Sequence, residues 1–296
     1  MSGEHIGLVG LGNMGKPMAR HLVVKGFSLT VYDVDDLLTR DFAQEIGATA
    51  AANLAELGEA SGIVITMLPT GSVVREVVTC DGGLAGRMSA GDVIVDMSSS
   101  EPGGSRMLAD ELEKSGVVFA DAPVSGGVPG AVNGTLTIMV GAKDAALVDR
   151  LRPVLETFGK KIIATGGVGS GHAMKALNNF IAGSNFASAS EALILGERFG
   201  LDRAVMLDII NTSTGRNFAT ENLLGAQVLS ERYNSGFTLG LLTKDVGIAA
   251  TMSEELEANL PMVAQTGSWW RGALEAGSSD DDHTTAYRHW SAIAAK

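Results

Sequence analysis

The first half of the chain alternates short apolar runs with segments of helical periodicity. The apolar runs are mostly bounded by Gly, Pro, Asp or Ser, and they lie at 6–9, 28–32, 62–68, 93–97, 117–120, 136–140 and 161–164. Near-continuous apolar strands separated by helices are typical of a parallel sheet covered on both faces. Because crossovers between parallel strands are right-handed, the pattern predicts an α/β fold with a doubly wound sheet.

The pattern changes near residue 166, beyond which every segment has helical spacing. We therefore predict two domains, 1–166 with the sheet and 167–296 all-helical. A long helix at about 171–199 would join them, ~40 Å long at a rise of 1.5 Å per residue. Its small and apolar residues run nearly all round, which predicts burial in a domain core or at a subunit interface. Breaks between the later helices are expected near Gly200, Gly215, Gly236, Pro261 and Gly277.

Charge and cysteine content narrow the function classes. A net charge of −12 repels phosphate backbones, so nucleic acid is not an expected partner. The single cysteine, Cys80, excludes a disulfide within the chain and fits a reducing compartment. The N-terminus shows no signal-peptide pattern, and no apolar run approaches the ~20 residues that span a bilayer. We expect a soluble cytoplasmic protein that is not membrane-bound.

The first motif with chemical content is IGLVGLGNMGKPMARHL. It places three glycines in a Gly-x-Gly-x-x-Gly pattern directly after a strand and at the start of a helix. The first allows a tight turn, the second lets the backbone approach a pyrophosphate, and the third lets the helix pack on the strand. The motif predicts a dinucleotide site that comprises Gly10, Leu11, Gly12, Asn13, Met14 and Gly15.

Asp33 ends the second strand, 18 residues past Gly15. A carboxylate in this place binds the ribose hydroxyls of NAD. No arginine follows directly, and the acidic stretch DVDD would repel a 2′-phosphate, so we predict NAD rather than NADP. The alternative is an aspartate that caps the following helix.

Two further strand ends belong to the same predicted sheet. The stretch VITMLPT ends with Met67, Leu68 and Pro69, and VIVDMSSS ends with Ser98 and Ser99. Ligands of open α/β sheets bind beyond the carboxyl ends of the strands, so these residues are candidates for the cofactor site. Pro69 is also a plain strand terminator, and Ser99 is also a candidate cap for a helix that begins nearby.

The stretch DAPVSGGVPGAVNGTL follows the strand at 117–120. Its Ser125, Gly126 and Gly127 present one hydroxyl and unobstructed backbone N–H groups, a combination that can hold a carboxylate. The alternative is a glycine-rich loop that only turns the chain.

The long helix begins with GHAMKALNNF, which carries Lys175, Asn178 and Asn179. Burying a lysine and two amides costs several kcal/mol unless they have partners. Lys175 and Asn179 stand four residues apart and share one helix face, at the domain junction where clefts form. Lys175 is therefore a candidate for proton transfer, and Asn179 for orienting a substrate hydroxyl. The alternative is a lysine that extends to solvent and two amides near a helix end.

Four motifs together resemble the β-hydroxyacid dehydrogenase family. They are GLGNMGKPMA at 10–19, DAPVSGG at 121–127, GSGHAMKALNN at 169–179, and the late FTLGLLTKDV with Lys244 followed by Asp245. The resemblance extends over essentially the whole chain. It implies a Rossmann domain joined by a long helix to an all-α domain, and an assembly into homodimers or homotetramers.

The resemblance also implies roles for single residues. Lys175 would be the catalytic acid/base, Asn179 would lie at the reacting region, and Ser125, Gly126 and Gly127 would hold the substrate carboxylate. Met67, Leu68, Pro69 and Ser99 would line the cofactor, and Lys244 would reach it from the helical domain. The reaction would be reversible NAD-dependent oxidation of a small anionic 3-hydroxy acid to its semialdehyde. No metal is expected, since the lysine serves as the electrophile and no metal-ligand motif is present.

Substrate selection and rival functions stay open at this stage. Arg216, in the polar stretch NTSTGRNFATEN, would favour a hydroxylated or doubly anionic acid if it faces the substrate; the alternative is a capped loop between helices. An imine reductase of related fold would lack Lys175. A 6-phosphogluconate-type enzyme would need phosphate-binding cations and a longer helical domain. A non-catalytic dinucleotide-binding regulator is the remaining alternative.

Overall fold

The computed structural model describes residues 4–295, and it divides into two compact units between Lys175 and Ala176. The first unit contains one nine-stranded sheet. Its strands are β1 (Ile6–Val9), β2 (Leu29–Tyr32), β3 (Thr49–Ala50), β4 (Ile63–Thr66), β5 (Val93–Asp96), β6 (Val118–Asp121), β7 (Val124–Ser125), β8 (Leu136–Gly141) and β9 (Gly159–Gly166).

The strand order is β3-β2-β1-β4-β5-β6-β8-β7, and β9 pairs with β8. The six strands from β3 to β6 are parallel, which confirms the predicted doubly wound sheet. The expectation of an all-parallel sheet is wrong at β8, which runs antiparallel to β6 and β7. The two-residue strands β3 and β7 were not predicted, because two residues show no periodicity.

Among the described residues seven α-helices lie wholly in the first unit, besides a 3-10 turn (Leu84–Gly86), and apolar residues pack beneath the helices on both faces of the sheet. Leu8 and Ile65 point into one core cluster, whereas their chain neighbours Val9 and Val64 point into the other. This alternation explains why the strands are apolar throughout. The helices are α1 (Gly15–Val24), α2 (Asp36–Ile46), α3 (Leu54–Ala60), α4 (Gly71–Thr79), α5 (Pro102–Glu113), α6 (Gly127–Asn133) and α7 (Ala145–Leu155).

One open edge of the sheet is β9. Over the described residues it pairs with β8 alone, and its Lys160 and Lys161 are exposed. Exposed lysines are a common feature of edge strands, because a charged side chain discourages further strand pairing.

The predicted long helix is confirmed as α8 (Ser170–Phe199). In the single chain it is not buried all round, so a domain core accounts for only part of the predicted burial, and the alternative of a subunit interface stays a prediction. Apolar side chains three, four or seven residues apart form an exposed stripe along it, the α8 stripe, which includes Met174, Leu177, Ile181, Leu195 and Phe199. Phe199 is 84% exposed.

The second unit is helical, and among its described residues we find one isolated β-bridge, between Thr238 and Asp282. Its elements are α9 (Arg203–Asn211), a π-helix (Thr220–Leu229), α10 (Leu239–Glu255), α11 (Pro261–Ala276), a 3-10 turn (His283–Thr285) and α12 (Ala286–Ala294). Aromatic rings form its core, with Phe186, Trp270 and Trp290 in mutual contact. Within residues 4–295 no helix combines the length and apolarity needed to cross a membrane.

Asp282 and His283, just before α12, make hydrogen bonds to residues 235–237. The Asp282 carboxylate accepts hydrogen bonds from the Ser235 hydroxyl and the Gly236 N–H. Burial raises the pKa of Asp282, but hydrogen bonds from Thr284 and Ser235 outweigh burial, and the net shift is downward. Burial lowers the pKa of His283, whose Nδ1 lies 3.0 Å from the Phe237 carbonyl oxygen.

These two shifts predict that Asp282 and His283 contribute less to stability as the pH falls. His283 binds its proton less tightly in the folded chain, so stability decreases as the pH drops below the ordinary histidine pKa of about 6.5. Asp282, with a lowered pKa, contributes stability that is lost at still lower pH. We expect the urea midpoint to decline between about pH 7 and pH 5.

Replacing His283 isolates its contribution. We expect His283→Phe to make the decline between about pH 7 and pH 5 shallower, because the group that binds its proton less tightly on folding is removed. An unchanged slope in His283→Phe would contradict the assignment.

Candidate active site

The carboxyl ends of β2, β1, β4, β5 and β6 lie side by side, because these parallel strands are neighbours in the sheet. Most of the residues singled out from the sequence follow these ends. This is the edge at which open α/β sheets bind their ligands. In the first unit it brings together the Gly10–Gly15 segment, Asp33, Met67, Ser99 and the segment after β6.

The three glycines after β1 are required for three different reasons. Gly10 has a φ of +102°, and a Cβ there would lie 2.3 Å from the Met67 carbonyl oxygen. A Cβ on Gly15 would lie 1.9 Å from the Gly10 carbonyl oxygen, so helix α1 could not approach the turn. A Cβ on Gly12 would meet nothing within 4 Å. The space at Gly12 is therefore available to a ligand rather than used by the chain.

The first turn of α1 is open to an anion. Its N-cap position is Met14, and no side chain caps the helix, whereas α2 is capped by Asp35 and α4 by Thr70. The Lys16 N–H donates to the Gly12 carbonyl oxygen and Pro17 has no N–H, so the groups left for an anion are those of the glycine segment before them. A bare glycine backbone at a helix start without a side-chain cap is what a pyrophosphate binds. The residues therefore fit the phosphates of a dinucleotide.

Asp33 lies against this segment. Its Oδ2 accepts a hydrogen bond from the Leu11 N–H at 2.7 Å, and its Oδ1 accepts one from the Asp35 N–H at 3.2 Å. The cap of α2 is Asp35, which accepts from the Leu38 N–H. Asp35, and not Asp33, therefore caps helix α2. Asp33 is instead hydrogen-bonded to the dinucleotide segment.

Strand β4 ends at Thr66, earlier than the run at 62–68 predicted, so Met67, Leu68 and Pro69 form a loop. The Leu68 N–H donates to the Ser98 hydroxyl at 2.9 Å, which joins the loop after β4 to the loop after β5. Ser99 is half-buried between two buried serines.

The segment after β6 is not only a loop. Ser125 lies in β7 and pairs with Thr137 of β8. Gly126 and Gly127 both have positive φ, +129° and +59°, where any other residue would be strained. The hydroxyl of Ser125 and the backbone of the two glycines are therefore presented by a short strand and a turn that only glycines can form.

Lys175 is half-buried in the second turn of α8, at the end of the first unit. Asn179 follows in the second unit and is buried. Its side-chain oxygen accepts a hydrogen bond from the Asn178 amide at 3.1 Å, and its Nδ2 donates to Asp245 Oδ2 at 2.6 Å. Because a carboxylate only accepts, this contact determines which way the Asn179 amide points.

Asp245 links Asn179 to Lys244 within the second unit. Its Oδ1 lies 3.4 Å from the Lys244 ammonium nitrogen, and its side chain is 3% exposed. The sequence offered Asp245 as part of a motif but gave it no role. The structure brings it between two residues that were singled out separately.

Arg216 lies in the turn before the π-helix. It is exposed, and its Nε stands 3.6 Å from Glu221 Oε1. The neighbouring Asn217 accepts hydrogen bonds from the N–H groups of Ala219 and Thr220. At Asn217 the structure therefore has the predicted alternative, a capped loop between helices.

Asp96, Asp121 and His172 are buried functional candidates that the sequence did not single out. Asp96 accepts hydrogen bonds from Thr66 and Ser100 at the ends of the strands. Burial raises the pKa of Asp121, against the opposing effects of the His172 charge and three backbone N–H groups. The only available signal was a polar residue at the end of an apolar strand, and apart from Ser98 and Ser100 the hydrogen-bonding partners are 30 to 67 residues apart.

Two family models match the chain, one for each part. Residues 5–167 match the NAD-binding domain of 6-phosphogluconate dehydrogenase. Residues 169–290 match the family described as the NAD-binding domain of NADP-dependent 3-hydroxyisobutyrate dehydrogenase.

Curated relatives and solved structures agree with these matches. The chain is 39% identical to 2-(hydroxymethyl)glutarate dehydrogenase of Eubacterium barkeri, over 96% of this chain and 94% of that protein. It is 33% identical to the mitochondrial 3-hydroxyisobutyrate dehydrogenase of Mus musculus, over 96% and 86%. The Mycobacterium tuberculosis 3-hydroxyisobutyrate dehydrogenase structure with L-serine matches with a TM-score of 0.89 and 30% identity, over 98% and 99%.

A parallel sheet with a glycine-lined dinucleotide segment, followed by a helical domain, defines a dehydrogenase that binds NAD(P). The chain belongs to the 3-hydroxyisobutyrate dehydrogenase group of the β-hydroxyacid dehydrogenase family. It is an NAD(P)-dependent β-hydroxyacid dehydrogenase.

The different environments of Gly12 and Gly15 give a matched test. Gly12→Ala should fold normally, since its Cβ meets nothing in the chain, but should weaken NAD(P) binding about tenfold or more by crowding the phosphates. Gly15→Ala should lower the unfolding midpoint itself, because its Cβ meets backbone. Thermal unfolding and NADH titration would separate the two effects. Unimpaired cofactor binding by Gly12→Ala would contradict the assignment.

Proposed function

We propose that the protein interconverts a small 3-hydroxy carboxylic acid and its semialdehyde, with Lys175 as the acid/base and NAD as the preferred cofactor. The observation that carries this proposal is that the start of α8 and the segment around Ser125 are both attached to the end of strand β6. The first turn of α8 is hydrogen-bonded to Asp121, the last residue of β6, and β6 leads within four residues to Ser125. The end of one strand therefore organises both the lysine and the segment assigned to the substrate carboxylate.

The substrate carboxylate would bind the Ser125 hydroxyl and the N–H groups of Gly126 and Gly127. Bound NAD supplies the acceptor for hydride from the carbinol carbon. The substrate hydroxyl would donate its proton to the neutral Lys175 amine. In reduction, the Lys175 ammonium group would stabilise the developing alkoxide and return the proton.

Asn179 would assist at the same oxygen atom. Asp245 receives one of its two amide hydrogens, and the other is the one available for a hydrogen bond to the substrate hydroxyl. This orientation makes Asn179 a donor to the reacting oxygen and leaves the proton transfer to Lys175. Asp245 would at the same time hold the Lys244 ammonium group, which we assign to the cofactor.

The preference for NAD over NADP is supported by charge. Asp33 is oriented beside the dinucleotide segment, and Asp35 and Asp36 follow it at the start of α2. A 2′-phosphate on the ribose would meet this group of carboxylates, whereas the two hydroxyls of NAD would find an acceptor in Asp33. The remaining cofactor contacts are assigned to Gly10, Leu11, Gly12, Asn13, Met14, Gly15, Met67, Leu68, Pro69 and Ser99.

The choice of substrate is narrowed by the charge of a second polar group on the acid. The relative from Eubacterium barkeri is named for 2-(hydroxymethyl)glutarate, an acid with a hydroxyl group β to one carboxylate and a second carboxylate further on. Arg216 is the cation we assign to such a second group. Its distance of 3.6 Å from Glu221 leaves a weak, exposed ion pair that a bound carboxylate could replace.

Activity assays of the Lys175→Ala variant test the function. We would follow NAD and NADP reduction with 3-hydroxyisobutyrate, D- and L-glycerate, threonate, 4-hydroxybutyrate and 2-(hydroxymethyl)glutarate. Loss of general acid/base catalysis predicts a fall in kcat of about 10²- to 10⁴-fold, with NADH binding retained. Lys143→Ala, at an exposed position of the same unit, is the matched control.

Three results would count against the proposal. Wild-type rates in Lys175→Ala would exclude its role as the acid/base. NADH binding without turnover of any acid in the panel would favour a non-catalytic regulator. Faster turnover with NADP than with NAD would overturn the cofactor preference.

The α8 stripe supports a homodimer or homotetramer in the cytoplasm as the working form. Its apolar side chains are exposed in the single chain in two stretches of the helix, 174–181 and 195–199, and exposed apolar patches of this kind mark interfaces. A second copy of this chain would bury it. The single cysteine, exposed Cys80, agrees with a reducing compartment.

Charge placed on the stripe should prevent assembly. We expect Leu195→Glu and Phe199→Glu to shift the protein from oligomer to monomer in light scattering, because a carboxylate in an apolar interface loses its hydration. Glu197→Gln, on the same helix but outside the stripe, should leave the mass unchanged. A wild-type protein that is already monomeric would refute the assembly.

A further inference from the structure

Asp121 caps the helix that carries Lys175. Its carboxylate is fully buried and accepts hydrogen bonds from the Gly169 N–H at 2.7 Å and the His172 N–H at 2.8 Å. The first N–H groups of a helix have no partner within the helix. Since Gly169 precedes α8 and has no side chain, the cap comes from a residue 48 positions earlier in the chain.

Glycines on both sides of the carboxylate make this contact possible. A Cβ on Gly171 would lie 2.3 Å from the Met139 carbonyl oxygen and 2.8 Å from Asp121 Oδ2. A Cβ on Gly141 would lie 2.3 Å from Asp121 Oδ1. The start of α8 therefore packs against β6 and β8 with no room for adjustment, and its position is fixed by the strands.

The His172 ring makes a second link. Its Nδ1 lies 2.8 Å from the Ser105 hydroxyl of α5, and its Nε2 lies 3.6 Å from Asp96 Oδ2. The same Asp96 carboxylate accepts from the Ser98 N–H and the Ser100 hydroxyl, on either side of Ser99. We call Asp96, Ser105, Asp121 and His172 the anchor cluster. Within it the His172 ring is hydrogen-bonded to α5 through Nδ1, and its Nε2, at a distance too long for a hydrogen bond, faces the carboxylate that organises the loop assigned to the cofactor.

Lys175 follows His172 by three residues, so the two lie on the same side of α8, one turn apart. We propose that Asp121 and His172 are positioning residues, which place the Lys175 amine relative to the bound cofactor and substrate. This inference rests on the proposed function of Lys175 as the acid/base. Both residues are at most 1% exposed, so they act through the helix and not by contact with the reactants.

A double-mutant cycle between Asp121→Asn and Lys175→Ala tests this role. Asparagine has nearly the shape of aspartate, but it presents an NH₂ group where one of the two N–H donors needs an acceptor. A displacement of about 1 Å can cost about a hundredfold in rate, so we expect a loss of that order in kcat for Asp121→Asn. The KM for NAD should stay close to the wild-type value.

In the Lys175→Ala background, the same Asp121→Asn change should cause no further loss, because the group that Asp121 positions is absent. Single-turnover formation of NADH would be measured with the panel acid that the wild type oxidises fastest. Asp110→Asn, at an exposed position of α5, is the control and should retain the wild-type rate.

Two variants of His172 test the positioning role independently, in case Asp121→Asn does not fold. His172→Asn retains a polar atom near the place of Nδ1 and should keep most of kcat, whereas His172→Leu should lose about tenfold or more. Equal losses from Asp121→Asn in both backgrounds, or equal kcat in the two His172 variants, would overturn the positioning role. Full activity of Lys175→Ala alone would instead refute the proposed function, before the cycle is completed.

Discussion

The geometry of the first unit depends on one contact, the pair of backbone N–H groups donated to the buried Asp121 carboxylate. Such a carboxylate loses its hydration, and its raised pKa shows that burial outweighs the groups that stabilise its charge. An apolar residue in this place would avoid that loss. It could not, however, accept two N–H groups from the start of a helix, and those groups would remain buried without partners.

The second unit contains a carboxylate with a comparable task. Asp245 is buried, and it determines the orientation of Asn179 on the part of α8 that belongs to that unit. Each unit thus secures its own portion of the helix with an aspartate from a different element. The start of α8, which precedes Lys175, and the side chain of Asn179 are thus held by separate hydrogen-bond networks, so a disturbance of one network need not pass to the other.

The sequence predicted the features that depend on neighbouring residues. The apolar strands, the glycines of the dinucleotide segment and the long helix were all recognisable, because each follows from a local pattern. Strand β8 was predicted at 136–140, but its antiparallel direction was not, since a buried strand reads the same in either direction. The π-helix at Thr220–Leu229 was missed as well, because its composition resembles that of an α-helix. The hydrogen bonds of Asp121 with Gly169 and His172, and of Asp245 with Asn179, join residues at least 48 positions apart, and no spacing rule reveals them.

Strand β9 affects how copies of this chain can associate. Its outer side exposes backbone groups that could pair with a strand of another molecule, and such pairing can continue without limit. Lys160 and Lys161 place positive charge along that edge, so two β9 strands that approach each other meet mutual repulsion. Open-ended association through strand pairing is thereby discouraged. Self-association is left to side-chain packing between helices, which gives closed oligomers of fixed size instead of fibres.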